Sequence, residues 1–146
     1  MTFSATFRVD GIPKAQPRAR ATRRGAHAGV YDPGTADGWK ALVAHASTQH
    51  RPAQPLRGPL SVSIDLFFPR PKKLMRRRDP DGPVRHTAKP DRDNVEKAIL
   101  DAMTNAGWWC DDAQVCAGEV RKFYAAKDGR PGAEIRVKEL PTESDA

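Results

Sequence analysis

Leu60-Ser61-Val62-Ser63-Ile64-Asp65-Leu66-Phe67-Phe68 alternates large apolar residues with others along its whole length, and this stretch decides the fold class. Successive side chains of a strand point to opposite faces. Leu60, Val62, Ile64, Leu66 and Phe68 therefore share one face, and Ser61, Ser63, Asp65 and Phe67 share the other. Gly58-Pro59 opens the strand and Pro69 and Pro71 close it, because proline cannot donate to a hydrogen-bonded ladder. A face this apolar needs a second layer to cover it.

Working outward, the same period of two returns at both ends of the chain. Phe3, Ala5, Phe7 and Val9 alternate with Ser4, Thr6 and Arg8, which predicts a first strand. Residues 114 to 125 read as one strand, Lys127-Asp128-Gly129-Arg130 as a turn, and Ala133, Ile135 and Val137 as the inner face of a last strand. Two segments carry the helical period instead. Thr35 is placed to cap a helix running to about Gln49, with Trp39, Leu42, Val43 and Ala46 on its apolar stripe and Pro52 and Pro55 beyond it. A second helix fits from about Asn94 to Asn105, with Val95, Ile99, Ala102, Met103 and Ala106 inward and Gly107 as its stop. Strands with two inserted helices predict an α+β domain built on a mixed β-sheet with two main helices. Its 146 residues suit one core. The expected division is a single domain over residues 1–140 and a flexible tail over 141–146.

Lysine and arginine outnumber aspartate and glutamate by 25 to 18, a net charge of +7, and sixteen of the cations are arginine, whose planar fork matches phosphate. A polyanionic partner accounts for this balance, as does a genome rich in Arg and Ala codons. The cations concentrate in two blocks. From Gly11 to Gly34 no apolar period persists, and a long loop is predicted that carries Lys14, Arg18, Arg20, Arg23 and Arg24. Arg70, Lys72, Lys73, Arg76, Arg77 and Arg78 crowd into nine residues, repel one another, and are expected to project into solvent or onto phosphate. No apolar run reaches the length of a membrane span, and the N-terminus alternates rather than forming a signal core, so a cytoplasmic protein without a membrane partner is expected. Cys110 and Cys116 are read as free thiols. The four histidines lack metal-ligand spacing.

The segment that carries chemistry is Lys89-Pro90-Asp91-Arg92-Asp93-Asn94-Val95-Glu96-Lys97, followed by Asp111-Asp112. Pro90 disfavours helix at the preceding residue, so the chain enters Asp91 extended, and Asp91 and Asp93 are expected to face one side. Two like charges that close invite a cation, and hard oxygen donors suit magnesium or manganese. The structural alternative is that Asp93 caps the helix, with Glu96 completing a capping box. For Asp111 and Asp112 the alternative is turn chemistry. Lys97 stands one helical turn after Asp93 and one before Asp101, which fits a surface ion pair and equally an ammonium beside a metal cluster.

Asp91-Arg92-Asp93-Asn94, Lys97, Asp101-Ala102, Trp108-Trp109 and Asp111-Asp112-Ala113-Gln114-Val115 occur in an order that resembles the RusA family of Holliday junction resolvases, small endodeoxyribonucleases of phage and prophage origin. Lys14 to Arg20, Tyr31-Asp32-Pro33, Thr35 and Trp39 extend the resemblance to residues 5 to 138. It implies that Asp91, Asp93 and Asp112 hold Mg²⁺, with Mn²⁺ able to substitute, and that Lys97 is catalytic, Asp111 being a weaker candidate than Asp112. It further implies a homodimer that nicks opposing strands of a four-way DNA junction in recombination and repair. Lys14, Arg18, Arg20 and the six cations of the 70–78 block would bind DNA, and Phe67, left over from the core face, is the candidate interface residue. The competing readings are a nucleic-acid binder without catalysis and a metal nuclease that prefers flaps or forks.

Overall fold

A computed structural model describes the backbone of residues 2–17, 20–24, 27–31 and 36–144, and the side chains of 2–17 and 36–144. Its main sheet contains β1 (Ser4–Asp10), β4 (Leu60–Phe68), β5 (Val84–Arg85), β6 (Val115–Ala117), β7 (Val120–Tyr124) and β8 (Gly132–Glu139). The order is β1-β8-β4-β7-β5, with β6 also pairing β4. β4 runs antiparallel to β8 and parallel to β7, so the sheet is mixed as predicted. The strand that decided the fold class lies at its centre. Leu60, Val62, Ile64 and Leu66 are essentially sealed from solvent, while Ser61, Ser63 and Phe67 remain half-buried on the other face.

One layer of two helices covers the apolar face. α1 (Asp37–Thr48) buries Trp39, Val43 and Ser47, and α2 (Arg92–Asn105) buries Val95, Ala98, Ile99, Leu100, Ala102 and Met103. Leu42, expected on the inner stripe of α1, is 45% exposed. The buried line of α1 follows the i, i+4, i+8 positions of Trp39, and Leu42 falls beside that line. α2 ends as expected at Gly107, whose φ of +92° is the left-handed conformation that glycine adopts freely. Trp108 and Trp109 follow at 0% and 2% exposure, so the aromatic pair belongs to the core.

Three further expectations are corrected. The long loop between β1 and α1 contains a two-stranded hairpin, β2 (Arg20–Arg24) with β3 (His27–Tyr31), whose polar strands lack the alternation that would have announced them. The strand read over 114–125 is two strands, β6 and β7, interrupted at Gly118-Glu119. Gly118 has φ +123°, and a Cβ there would lie 2.0 Å from the Val62 carbonyl oxygen, so the chain bends where it approaches β4 too closely for a side chain. Third, α2 begins at Arg92, two residues before the expected start, with Asp91 as its N-cap. Thr35, expected to cap α1, lies outside the described residues; the N-cap position belongs to Ala36.

Candidate active site

The earlier start of α2 changes the geometry of the acidic segment. Asp91 is extended, with φ −69° and ψ 144°, while Asp93 already lies in the first helical turn. The two no longer alternate along one extended chain, and the simple i, i+2 argument for their facing together does not hold. The capping alternative also falls. Asp91 makes no side-chain cap bond, and Asp93 accepts a hydrogen bond from the adjacent Asn94 N–H at 3.0 Å rather than closing a box with Glu96. Glu96 instead enters the groove between α2 and the β6–β7 link, where burial raises its pKa. Both aspartates are exposed and spend little on holding the helix.

Lys97 is the hub of the site. Its Nζ donates to Asp101 Oδ1 and to Asp112 Oδ2, each at 2.8 Å. The hydrogen bonds to Asp101 and Asp112 raise the Lys97 pKa, and the bond from Lys97 lowers that of Asp112, so the pair stays charged at neutral pH. The i,i+4 partner is Asp101, not Asp93. Asp93, Lys97 and Asp101 still follow one another at helical-turn spacing along the exposed face of α2, and Asp112 is brought to that face by a chain segment fifteen residues from Lys97.

The neighbouring acid has a different task. Asp111 caps the short turn Asp112–Gln114: its carboxylate accepts from Ala113 N–H, and Gln114 Oε1 accepts from Asp111 N–H. Gln114 Nε2 donates in turn to the carbonyls of Leu56 and Gly58, both at 2.9 Å. The Asp-Asp-Ala-Gln motif thus divides its labour: Asp111 and Gln114 pin the turn, and Asp112 projects towards Lys97.

Sequence reasoning missed Lys122. From β7 its ammonium donates to the carbonyls of Ala88 and Pro90, each at 2.7 Å, and so grips the segment immediately before Asp91. The same segment is held by a His86 N–H bond to the Lys122 carbonyl at 3.1 Å and by the His86 ring, 4.3 Å from Phe68 and 4.5 Å from Tyr124. Burial lowers the pKa of His86, which keeps the ring neutral. Nothing in a single sequence links Lys122 to residues 88–90, because the contact depends on β5 pairing with β7.

Exposed Asp91 and Asp93 and half-buried Asp112 supply the hard carboxylate oxygens that a divalent cation of the magnesium type accepts. The structure joins Asp112 to Lys97, and Asp91 to Lys89 at 3.4 Å. Among the described residues no three acidic, histidine or cysteine side chains already converge as a ready-made metal cage. The donor chemistry therefore fits such an ion, with Lys97 and Lys89 standing at present on two of the carboxylates.

The basic blocks divide as well. Arg70 does not project. Its guanidinium donates to the carbonyls of Leu74, Gly82, Ala125 and Pro80 and clamps the loop from within. Lys72, Lys73, Arg76, Arg77 and Arg78 are exposed, as is Lys14. Arg18 lies outside the described residues, and so does the side chain of Arg20. Phe67 lies on the helix-free face, stacked on Phe123 at 5.7 Å with Arg8 above it, so part of its ring is covered within the chain.

Fold and candidate site together describe a small α+β domain in which Asp93, Lys97 and Asp101 follow one face of a helix and Asp112 is brought to it from the turn after Trp109. The family described as Endodeoxyribonuclease RusA matches residues 10–138, and the chain belongs to that family. It is 34% identical over 139 residues to the Uncharacterized protein YqaN of Bacillus subtilis strain 168, covering 92% of this chain and 95% of that protein. A stretch of 53 residues is 45% identical to the crossover junction endodeoxyribonuclease RusA of Escherichia coli K12, and equally to that of Enterobacteria phage 82. That stretch covers 36% of this chain and 42% of each of those two proteins. Among the described residues no helix is long and apolar enough to cross a membrane.

Proposed function

We propose that this protein is a cytoplasmic endonuclease that resolves four-way DNA junctions in recombination and repair, acting as a homodimer with one nick per protomer. The observation that carries the reading is Lys97 standing between Asp101 and Asp112 on the face of α2 that also presents Asp93. Asp91, Asp93 and Asp112 would hold Mg²⁺, or Mn²⁺ in its place, because carboxylate oxygens suit a hard cation. Such an ion, when bound, polarises the phosphoryl oxygen and makes water a stronger nucleophile. Lys97 keeps Asp112 ionised and places a fixed positive charge where the phosphate gains negative charge.

Exposed Lys72, Lys73, Arg76, Arg77, Arg78 and Lys14 are assigned to the DNA backbone, where cations position the substrate without reading sequence. A four-way junction presents two equivalent strands, and a two-fold dimer matches that symmetry. The test incubates the protein with labelled four-way, forked and linear duplex DNA, with and without Mg²⁺. Paired nicks in the junction alone, only with metal, are expected. Equal cutting of forks would reassign the substrate, and binding without cutting would make the protein a non-catalytic binder.

A further inference from the structure

A cavity of about 500 Å³ opens beside Asp91, between the loop that follows β1 and the first turn of α2. Its walls are apolar: Ile12, Phe68 and Pro90 face into it, and Ile12 is 47% exposed, one of the few large apolar side chains left uncovered. Two exposed cations, Lys14 and Lys89, also line it, Lys89 standing 3.4 Å from Asp91. Asn94 lines it too, and among the described residues the Asn94 side-chain amide has no hydrogen-bond partner. The cavity is held open. Gln16 N–H donates to the Asn94 carbonyl at 2.8 Å and Lys40 donates to Gln16 Oε1 at 3.0 Å, so the loop wall is tied to both helices.

An apolar slot, an amide with no protein partner among the described residues and two neighbouring cations form a chemical combination that phosphate alone does not require. A flat apolar body with a polar edge, attached to phosphate on both sides, satisfies all three, and that is a nucleotide out of its stack. The amide presents a donor and an acceptor side by side, as pairing with a base edge demands. Asp91 forms part of the wall, so the occupant lies next to the carboxylates of the site. We propose that this cavity receives one unstacked nucleobase of the strand being cut, adjacent to the scissile phosphate, with Asn94 reading its edge and Lys14 and Lys89 holding the flanking phosphates. The proposal rests on the nuclease reading and adds to it a site that selects where the cut falls. A base whose pairing or stacking is already disturbed costs less to unstack than one inside a continuous duplex, so the cavity also favours a distorted branch point.

The test places 2-aminopurine, one position at a time, around the nick site of a four-way junction and follows its fluorescence as the full-length protein binds in EDTA. At one position next to the nick, a rise of about threefold or more is expected on unstacking. Ile12→Ala and Asn94→Ala should remove most of that rise while the junction still binds. Ile12 is exposed, so its truncation leaves the fold intact, which circular dichroism checks. Tight binding without a rise at any position, or a rise that both variants leave unchanged, overturns the base pocket and leaves the nuclease reading standing. A wild-type protein that neither binds nor cuts the junction removes both.

Discussion

Replacing Lys122 with methionine keeps the aliphatic stem and deletes one ammonium, and with it two hydrogen bonds of 2.7 Å to the carbonyls of Ala88 and Pro90. A hydrogen bond to a charged group contributes about 1.5–3 kcal/mol when both partners are shielded from water. Ala88 is exposed and its carbonyl will be rehydrated, whereas the bond to Pro90 is partly buried. The net cost to stability is therefore about 1–2 kcal/mol, small beside the 5–15 kcal/mol of a typical domain. The consequence for activity is larger. Release of residues 88–90 frees Asp91, and misplacing a reacting group by an ångström costs about 100-fold in rate. Lys122→Met should unfold at slightly lower urea concentration, cut about 100-fold more slowly in single turnover, and need more Mg²⁺ for half-maximal rate. Lys122→Arg, which retains the charge and the donors, should recover much of the loss. A destabilised Lys122→Met with an unchanged rate and an unchanged Mg²⁺ requirement would refute the positioning argument and leave Lys122 a stability residue only.

Asp112→Asn is expected to abolish cleavage with junction binding retained or tightened, since a negative charge next to phosphate is lost, whereas Asp111→Ala should cost stability through its cap and leave residual cutting; gel-shift, cleavage and urea-denaturation assays separate the two. Asp65, buried on the helix-free face between Arg121 at 2.7 Å and Arg136 at 3.6 Å, has its pKa lowered chiefly by the Arg121 hydrogen bond. Asp65→Asn should destabilise by about 1–3 kcal/mol at neutral pH, a figure discounted from that of a fully buried pair because both arginines reach solvent. That difference should be full above the unfolded-state carboxyl value of 3.8 and vanish as pH falls through the lower folded value, which denaturation at pH 7 and pH 2–3 reads directly. Replacing Lys72, Lys73, Arg77 and Arg78 with glutamine should weaken junction binding and flatten its salt dependence by up to about four units of slope, while Arg70→Gln should instead lower the melting temperature, since its guanidinium serves four carbonyls.

Much of the architecture was legible from local pattern. β1, β4 and β8 bury the faces their alternation announced, and α2 stops at the glycine expected to stop it. The hairpin β2–β3 was not legible, because its strands carry arginines and glycine where alternation would need apolar residues. The break between β6 and β7 was hidden for another reason: it comes from the approach of Gly118 to Val62, a contact between residues far apart in the chain. Helix boundaries are weakly encoded, and the shift of α2's start by one half-turn was enough to overturn both the facing argument and the capping alternative for Asp91 and Asp93.

By itself the sequence determined the fold class, the family and the set of candidate residues, since period, spacing and residue type are properties of the chain that need no third dimension. Tertiary structure alone decided the division of labour within that set. It gave Asp111 to a cap and Asp112 to Lys97, turned Arg70 inward while its neighbours stayed outside, and added Lys122, from outside that set, under the carbonyls before Asp91. The physical reason is that carboxylates and cations have no intrinsic role. Each takes the partner that the folded backbone places within hydrogen-bonding distance, and strand pairing between distant segments sets that distance.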